Sequence, residues 1–215
     1  MAHEHPGCQL YAVVEAGDAA AQQLAAVLSA ADVVSVLVAP ANGRTLDAGT
    51  ARELVEIAQR GGAAALILGD ARLARAVGAD GVHLSHVREP VVACRDARGV
   101  LGERAIVGSD AGISRHDAMT LAEAGADYVA FGAPAHLQDR DKARARRDGL
   151  VEWWAEIFQV PCVAFDVESP REAEALSRAG ADFLAVTVPA GEAPAAAGER
   201  IAGIAAAIGV REEAR

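Results

Sequence analysis

The sequence predicts one α/β domain in which eight parallel strands and eight helices close into a barrel, and three observations carry that prediction. The chain has 215 residues, which suits a single barrel of this kind, since the fold runs from roughly 200 residues upward. Short apolar runs rich in Val, Ile and Leu alternate eight times with Ala-, Arg- and Glu-rich helical stretches, with no linker between them; continuous apolar runs of that length mark strands buried on both faces. The triplet Gly-Ala-Asp recurs at Gly78–Asp80, Gly125–Asp127 and Gly180–Asp182, each time after an Ala-rich helix and before a strand. Glycine there closes the helix in a left-handed conformation and lets the chain turn tightly onto the sheet. An open dinucleotide-binding sheet would want G-x-G-x-x-G after its first strand, but the chain reads VVEAGDAAAQQ, so the closed barrel is preferred.

The strands are expected at Gln9–Val14, Val33–Ala39, Ala64–Leu68, Gly81–Ser85, Ala105–Gly108, Tyr128–Gly132, Cys162–Asp166 and Phe183–Val188. The helices are expected to start near Asp18, Thr50, Asp70, Glu89, Ser114, Gly149, Ser169 and Ala193. Ser114 and Ser169 read as N-caps, each followed three residues later by an acidic residue, Asp117 and Glu172; the second pair matches a full capping box. The domain spans residues 1–215, with residues 1–7 and 210–215 expected to be flexible tails. Trp153 and Trp154 are neighbours on one helix and so point to different faces. One is expected in the core, and the other leaves a homodimer interface open.

Composition removes several function classes. The apolar fraction is 52%, yet no apolar run approaches the ~20 residues that span a bilayer, and the first residues carry no export-signal pattern. A net charge of −10 disfavours nucleic acid and anionic membranes as partners. The three cysteines, Cys8, Cys94 and Cys162, are odd in number and unpatterned, which argues for reduced thiols in a cytoplasmic protein and against a disulfide frame or a zinc site. Nineteen arginines accompany one lysine, Lys142, so Schiff-base chemistry has a single candidate, in a stretch too polar to desolvate it.

In a barrel the chemistry sits where strands run out into helices. Two such regions stand out, LILGDARLARAVGADGVHLSHVREPV and IVGSDAGISRHDAMTLAEAGADYVAFGAP. They resemble stretches of the thiamine phosphate synthase family and its thiazole tautomerase relatives. The first is similar to the family stretch that follows strand three with Asn-Asp, then a helix, then GADGVHLG and an acidic residue before proline. The second is similar to the next family stretch, a Gly-x-Ser turn, a helix, AGADY and a strand ending in FGP. The resemblance implies a transferase of thiamine biosynthesis that couples a hydroxymethylpyrimidine pyrophosphate to a thiazole phosphate. It implies a small phosphorylated heterocyclic substrate, Mg²⁺ to help pyrophosphate leave, and no organic cofactor.

Residue by residue, the resemblance implies Asp70 as a metal ligand; its other reading is the N-cap of helix three. The second acidic family position falls on Arg88, with Glu89 beside it as a metal ligand or as a first-turn glutamate favoured by the helix dipole. His83 matches the GVHL histidine, as a substrate contact or a satisfied core histidine. The family serine falls on Asp110 by direct count and on Ser109 if the turn holds one extra residue, so both are catalytic candidates. Asp110 would then lie near Asp70 and complete a metal pair, or else be a turn aspartate bonding its own backbone. The strand-two pyrophosphate grip leaves Asn42 and Arg44. After strand six, Arg140, Lys142, Arg144, Arg146 and Arg147 either clamp pyrophosphate or form a solvated helix face with Asp139, Asp141 and Asp148. Gly191 and the last helix N-terminus offer amides to a phosphate. The family's Gly-Gly turn after strand seven is replaced by VAFDVESP, which puts Asp166 and Glu168 where an anion would sit. Two alternatives therefore stand beside the synthase: a non-catalytic paralogue that binds a small molecule or partner protein, and a tautomerase-like isomerase. An acidic mouth of Asp70, Asp110 and Asp166 would show shifted carboxyl pKa values.

Overall fold

The computed structural model describes residues 7–41, 44–133 and 139–209. Eight strands and eight helices alternate: β1 (Gln9–Ala16), α1 (Ala20–Ala30), β2 (Val33–Pro40), α2 (Ala48–Arg60), β3 (Ala64–Leu68), α3 (Ala71–Val77), β4 (Gly81–Leu84), α4 (Pro90–Leu101), β5 (Ile106–Asp110), α5 (Arg115–Glu123), β6 (Tyr128–Phe131), α6 (Arg140–Ile157), β7 (Cys162–Ala164), α7 (Pro170–Arg178), β8 (Phe183–Val188) and α8 (Pro194–Gly209). The strands are parallel and close in chain order, β8 pairing back onto β1. The tails expected at the two ends lie, apart from Gly7, outside the described residues, as do His3 and His5.

Alternation along each strand divides the core in two. Leu10, Val14, Val36, Val38, Ile67, Val107 and Phe131 pack outward against Leu24, Leu54, Leu121, Trp154, Leu176 and Ile201 of the helices. Tyr11, Val13, Leu37, Leu66, Tyr128, Val163 and Ala185 fill the barrel itself. The three Gly-Ala-Asp triplets do two jobs. Gly78, Gly125 and Gly180 have φ of +74°, +88° and +94°, the left-handed helix ending that the repeat predicts. Each aspartate then accepts the backbone N–H near the start of the preceding strand: Asp80 from Ala65 at 2.8 Å, Asp127 from Val107 at 2.7 Å and Asp182 from Cys162 at 2.8 Å.

Several expected boundaries move. α6 starts at Arg140, nine residues before the expected Gly149, because Asp139 caps it by accepting the Lys142 N–H at 3.0 Å and Asp141 sits in its first turn. Arg140–Arg147 are thus helical residues and not a loop. β5 runs on to Asp110, so Ser109 and Asp110 are strand residues with opposite orientations. α2 starts at Ala48 behind Asp47, which accepts from both Gly49 and Thr50. Ser114 and Ser169 cap α5 and α7 as expected. The Ser169 box is shifted, however: Glu172 reaches the N–H of Glu168, one residue before the cap, at 2.8 Å. Trp154 is buried, donates to the Val160 carbonyl at 2.7 Å and stacks on Phe158. Trp153 lies under the Arg115 guanidinium, 4.6 Å from the ring centre. No helix among the described residues is long and apolar enough to cross a membrane.

The interior leaves no room at Gly108. A Cβ there would sit 1.9 Å from Cζ of Tyr128, a ring whose hydroxyl is tied to Tyr11 and His83. Gly108→Ala is expected to cost about 3 kcal/mol through overpacking, whereas Gly149→Ala, on α6 with open space around it, is expected to add about 0.5–1 kcal/mol. Urea unfolding of the two variants measures both.

Candidate active site

The C-terminal ends of β3 to β8 bring together the acidic residues that the sequence singled out. Asp110, the last residue of β5, shares its side of the strand with Ile106 and Gly108 and so faces the barrel interior. Its Oδ1 accepts the Gly112 N–H at 2.7 Å. Gly112 has φ of +59° and lies against the His86 ring, which a Cβ would approach to 2.9 Å. His86 in turn places Nε2 3.5 Å from the Asp117 carboxylate. Burial pushes the Asp110 carboxyl above the usual range; the Gly112 N–H and His86 pull it down, and the Asp166 charge adds to the rise. The carboxylate neighbour of Asp110 is therefore Asp166, and the expected Asp70–Asp110 pair does not form.

Asp70 instead turns to cap α3, its Oδ1 accepting the Leu73 N–H at 2.9 Å, and is exposed with Oδ2 free of hydrogen bonds among the described residues. Glu89 sits at the N-cap position of α4, exposed and without a capping bond. Ser109 shares its side of β5 with Val107 and faces the helices; it is 1% exposed and its hydroxyl has no partner among the described residues. A catalytic role for Ser109 is corrected by that orientation. His83 lies inside the barrel, where its Nδ1 meets the Tyr128 hydroxyl at 2.8 Å and its ring stacks on Phe165, 4.8 Å between centroids. Burial lowers it to about 3, so it is a neutral core histidine at working pH. Arg44 is exposed beyond β2, Asn42 lies outside the described residues, and Gly191 is exposed between β8 and α8.

The Asp166 turn is the feature that sequence reading described least well. Asp166 is the non-glycine residue with positive φ among the described residues, at +60°. Aspartate tolerates this region better than most residues, at a cost of roughly 1 kcal/mol. Its Oδ2 accepts the Ala133 N–H at 2.8 Å, and the absence of a side chain at Gly132 leaves space for that carboxylate. Behind it Arg147, fully buried, donates to the carbonyls of Phe165 at 2.8 Å and Asp166 at 3.1 Å, and pairs with Glu172 at 2.6 Å and Asp148 at 2.9 Å. Arg140 reaches Glu168 at 3.0 Å and also the Ala133 carbonyl, and Arg144 pairs with the same glutamate. Lys142 and Arg146 are exposed, the latter donating to the Ile113 carbonyl at 3.2 Å. The two readings of the basic run therefore divide by residue: three arginines grip the β7–α7 turn and two cations face solvent.

The amides at this end are also engaged. Ala133 donates to Asp166, Glu168 to Glu172, and Ala190, beside Gly191, to Glu15 at 3.2 Å. Among the described residues no group of three or more His, Cys, Asp or Glu side chains is arranged to hold a metal ion.

Two stability effects follow. Because burial raises Asp110 in the folded state, the folded chain holds that proton more tightly than the unfolded one. The ionised group therefore costs stability, increasingly as pH rises from the usual carboxylate value through the folded one. Asp110→Asn, which can keep the Gly112 bond, is expected to raise Tm at pH 7 and to lose that advantage by pH 4. Arg147→Met removes one partner of a buried pair and is expected to cost about 3 kcal/mol or more, against about 0.5 kcal/mol or less for the exposed Arg146→Met. Thermal and urea unfolding read both pairs.

The family model described as thiamine monophosphate synthase matches residues 10–189, from the first strand through the last. A thiamine-phosphate synthase of Rhodospirillum centenum is 38% identical over 203 residues, covering 88% of this chain and 95% of that one. Another, of Erythrobacter litoralis, is 44% identical over 117 residues, 54% of each chain. A thiamine phosphate pyrophosphorylase of Pyrococcus furiosus superposes with a TM-score of 0.74 at 17% identity, covering 94% of this chain and 95% of that one, and so shares the fold. With its family match running across all eight strands of a closed barrel, the chain belongs to the thiamine monophosphate synthase family.

Proposed function

We propose that the chain makes thiamine phosphate, joining a hydroxymethylpyrimidine pyrophosphate to a thiazole phosphate with release of pyrophosphate, in the cytosol, where its three free thiols stay reduced. The observation that carries the reading is the family match from β1 to β8; the C-terminal end of the strands, which holds Asp70, Glu89 and Asp110, is where barrels of this kind carry their chemistry. In the reaction the bond between the pyrimidine methylene carbon and oxygen breaks, pyrophosphate leaves with the electron pair, and the thiazole nitrogen donates its own pair to the methylene carbon.

The chain's residues divide that work. Asp110, half-buried and turned inward, is suited to accept a hydrogen bond from an amino group on the pyrimidine, an acceptor role that a carboxylate fills better than a serine hydroxyl. Arg44 and Lys142, both exposed and unpaired among the described residues, are free to meet the pyrophosphate. Arg140 can join them by releasing Glu168. Gly191 stands at the α8 N-terminus, where backbone amides favour the thiazole phosphate. His83 supports the site from below through its stack on Phe165.

Among the described residues the donor set does not fit a resident metal ion, which would need more ligands than they supply. It fits Mg²⁺ that arrives on the pyrophosphate, because that ion keeps most of its ligands from water and phosphate and needs only one or two carboxylates. The unengaged oxygen of Asp70 would hold it, with Glu89 beyond, and the ion would neutralise charge on the departing pyrophosphate.

Purified protein supplied with the two substrates and Mg²⁺ is expected to form thiamine phosphate, detected after oxidation to its fluorescent thiochrome. Asp70→Ala should lower kcat/KM by about 100-fold, the scale of losing one electrostatic stabiliser of a leaving group; Asp70→Asn should keep the helix cap and still lose activity. No product from folded protein at saturating Mg²⁺ would remove the proposal.

A further inference from the structure

The opposite end of the barrel carries a feature that the reaction does not use. At the N-terminal ends of the strands the interior opens into a cavity of about 360 Å³. Barrel interiors of eight strands are ordinarily filled by bulky branched side chains. Here the neighbouring strands β2 and β3 present Ser35 opposite Ala64, two small residues side by side, and neither fills the layer. The remaining walls include Tyr11, Tyr128, Val163 and Phe183. A space of this size falls within the roughly 300–1,000 Å³ range of small-molecule sites, and it is about ten times the ~30 Å³ share of a water molecule in the liquid. Apolar walls hold water poorly, so an organic occupant gains by displacing it.

The wall chemistry narrows the occupant. The ionised group at the rim, Asp127, is committed to Arg98 at 2.6 Å and the Val107 N–H at 2.7 Å, which leaves no free charge to meet an ion. Three aromatic rings offer edges and faces to a flat molecule. Two lining polar side chains are underused among the described residues: Gln9 at the rim makes no side-chain hydrogen bond, and the hydroxyl of the buried Ser35 has only a stretched contact of 3.5 Å to the Ala64 carbonyl, at the outer limit for a hydrogen bond. Tyr11 and Tyr128, by contrast, satisfy each other at 3.1 Å.

We propose that this floor cavity is a second small-molecule site, separate from the reaction face, and that it takes an uncharged aromatic or heteroaromatic molecule with one hydrogen-bonding substituent directed to Ser35. The site does not depend on the reaction proposed above. Its walls continue through Tyr128, whose hydroxyl holds His83, toward Phe165 and the Asp166 turn. An occupant would therefore rest on side chains that reach across the barrel.

The test uses the full chain and 2-naphthol, with 2-naphthalenesulfonate as the charged control on the same ring system, each titrated by calorimetry. Saturable one-to-one binding of 2-naphthol is expected, with the sulfonate at least tenfold weaker. Ala64→Leu should abolish binding by filling the space. Ser35→Ala, which removes only the hydroxyl, should weaken it by about tenfold, the worth of one hydrogen bond. Asp110→Asn at the reaction face should leave binding unchanged. The proposal is overturned if 2-naphthol fails to saturate up to its solubility limit or if Ser35→Ala binds as tightly as the parent. Loss of binding in Asp110→Asn would overturn it too. Binding seen only after removal of residues 1–6 would also overturn it, since the occupant would then be the chain's own leading segment.

Discussion

The barrel depends on a carboxylate bond made three times. Asp80, Asp127 and Asp182 each stand just before an even-numbered strand and accept a backbone N–H at the start of the odd-numbered strand beside it. A parallel strand has no hairpin to set its register, so something at its beginning must fix where pairing starts. A charged acceptor on a backbone donor is the stronger kind of hydrogen bond, and the glycine two residues earlier delivers the aspartate by ending the helix abruptly. β3, β5 and β7 are pinned this way at the floor, and the strands then run free to the other end. Register shifts there would turn Asp110 from the interior to the helical side, where Ser109 now lies.

Inside, the constraint is volume. Tyr128 occupies the space that Gly108 vacates and bridges Tyr11 to His83. A protonated histidine there would need a counter-charge that the aromatic walls do not offer, so burial keeps the ring neutral. As pH falls from the ordinary histidine value toward about 3, the unfolded chain takes up a proton that the folded ring refuses. Stability is lost over that window.

The fold was legible because its signals are local: apolar runs, capping serines and helix-ending glycines all act within a few residues. The second job of the triplet aspartates was not, since their partners lie on another strand, fixed only by closure. The start of α6 was missed because Gly149 looks like a boundary, whereas Asp139 and the Ala- and Arg-rich run behind it supply a cap and strong helix formers. Had the helix been recognised, the division of its cations was readable: Arg140, Arg144 and Arg147 follow the i, i+4, i+7 spacing of one face, while Lys142 and Arg146 fall on another. Asp70, Asp110 and Asp166 were singled out as an acidic mouth; of the three, Asp110 is raised, chiefly by burial, with the Asp166 charge adding to it. The role of Asp70 as a helix cap needed only its neighbours in sequence.

Charge at the reaction face sorts by burial into a fixed part and an exchangeable part. Arg147 is fully buried and Glu172 is 14% exposed; removing either would leave the other with a single weaker or more exposed partner, Asp148 for Arg147 and Arg144 for Glu172, in a medium that punishes under-paired charges. That pair, with its bonds to the Phe165 and Asp166 carbonyls, holds the left-handed turn that stands where the family carries glycines. Glu168 is 56% exposed and shared by Arg140 and Arg144. Ion pairs so open to water are worth little. An incoming pyrophosphate can thus take those two arginines from Glu168 at small cost, since one anion replaces another on the same donors. It cannot take Arg147 without undoing the turn. A chain with net charge −10 thus has two cations on the α6 side that exchange can free for a pyrophosphate, whereas the amides of Ala133, Glu168 and Ala190 are already held by Asp166, Glu172 and Glu15.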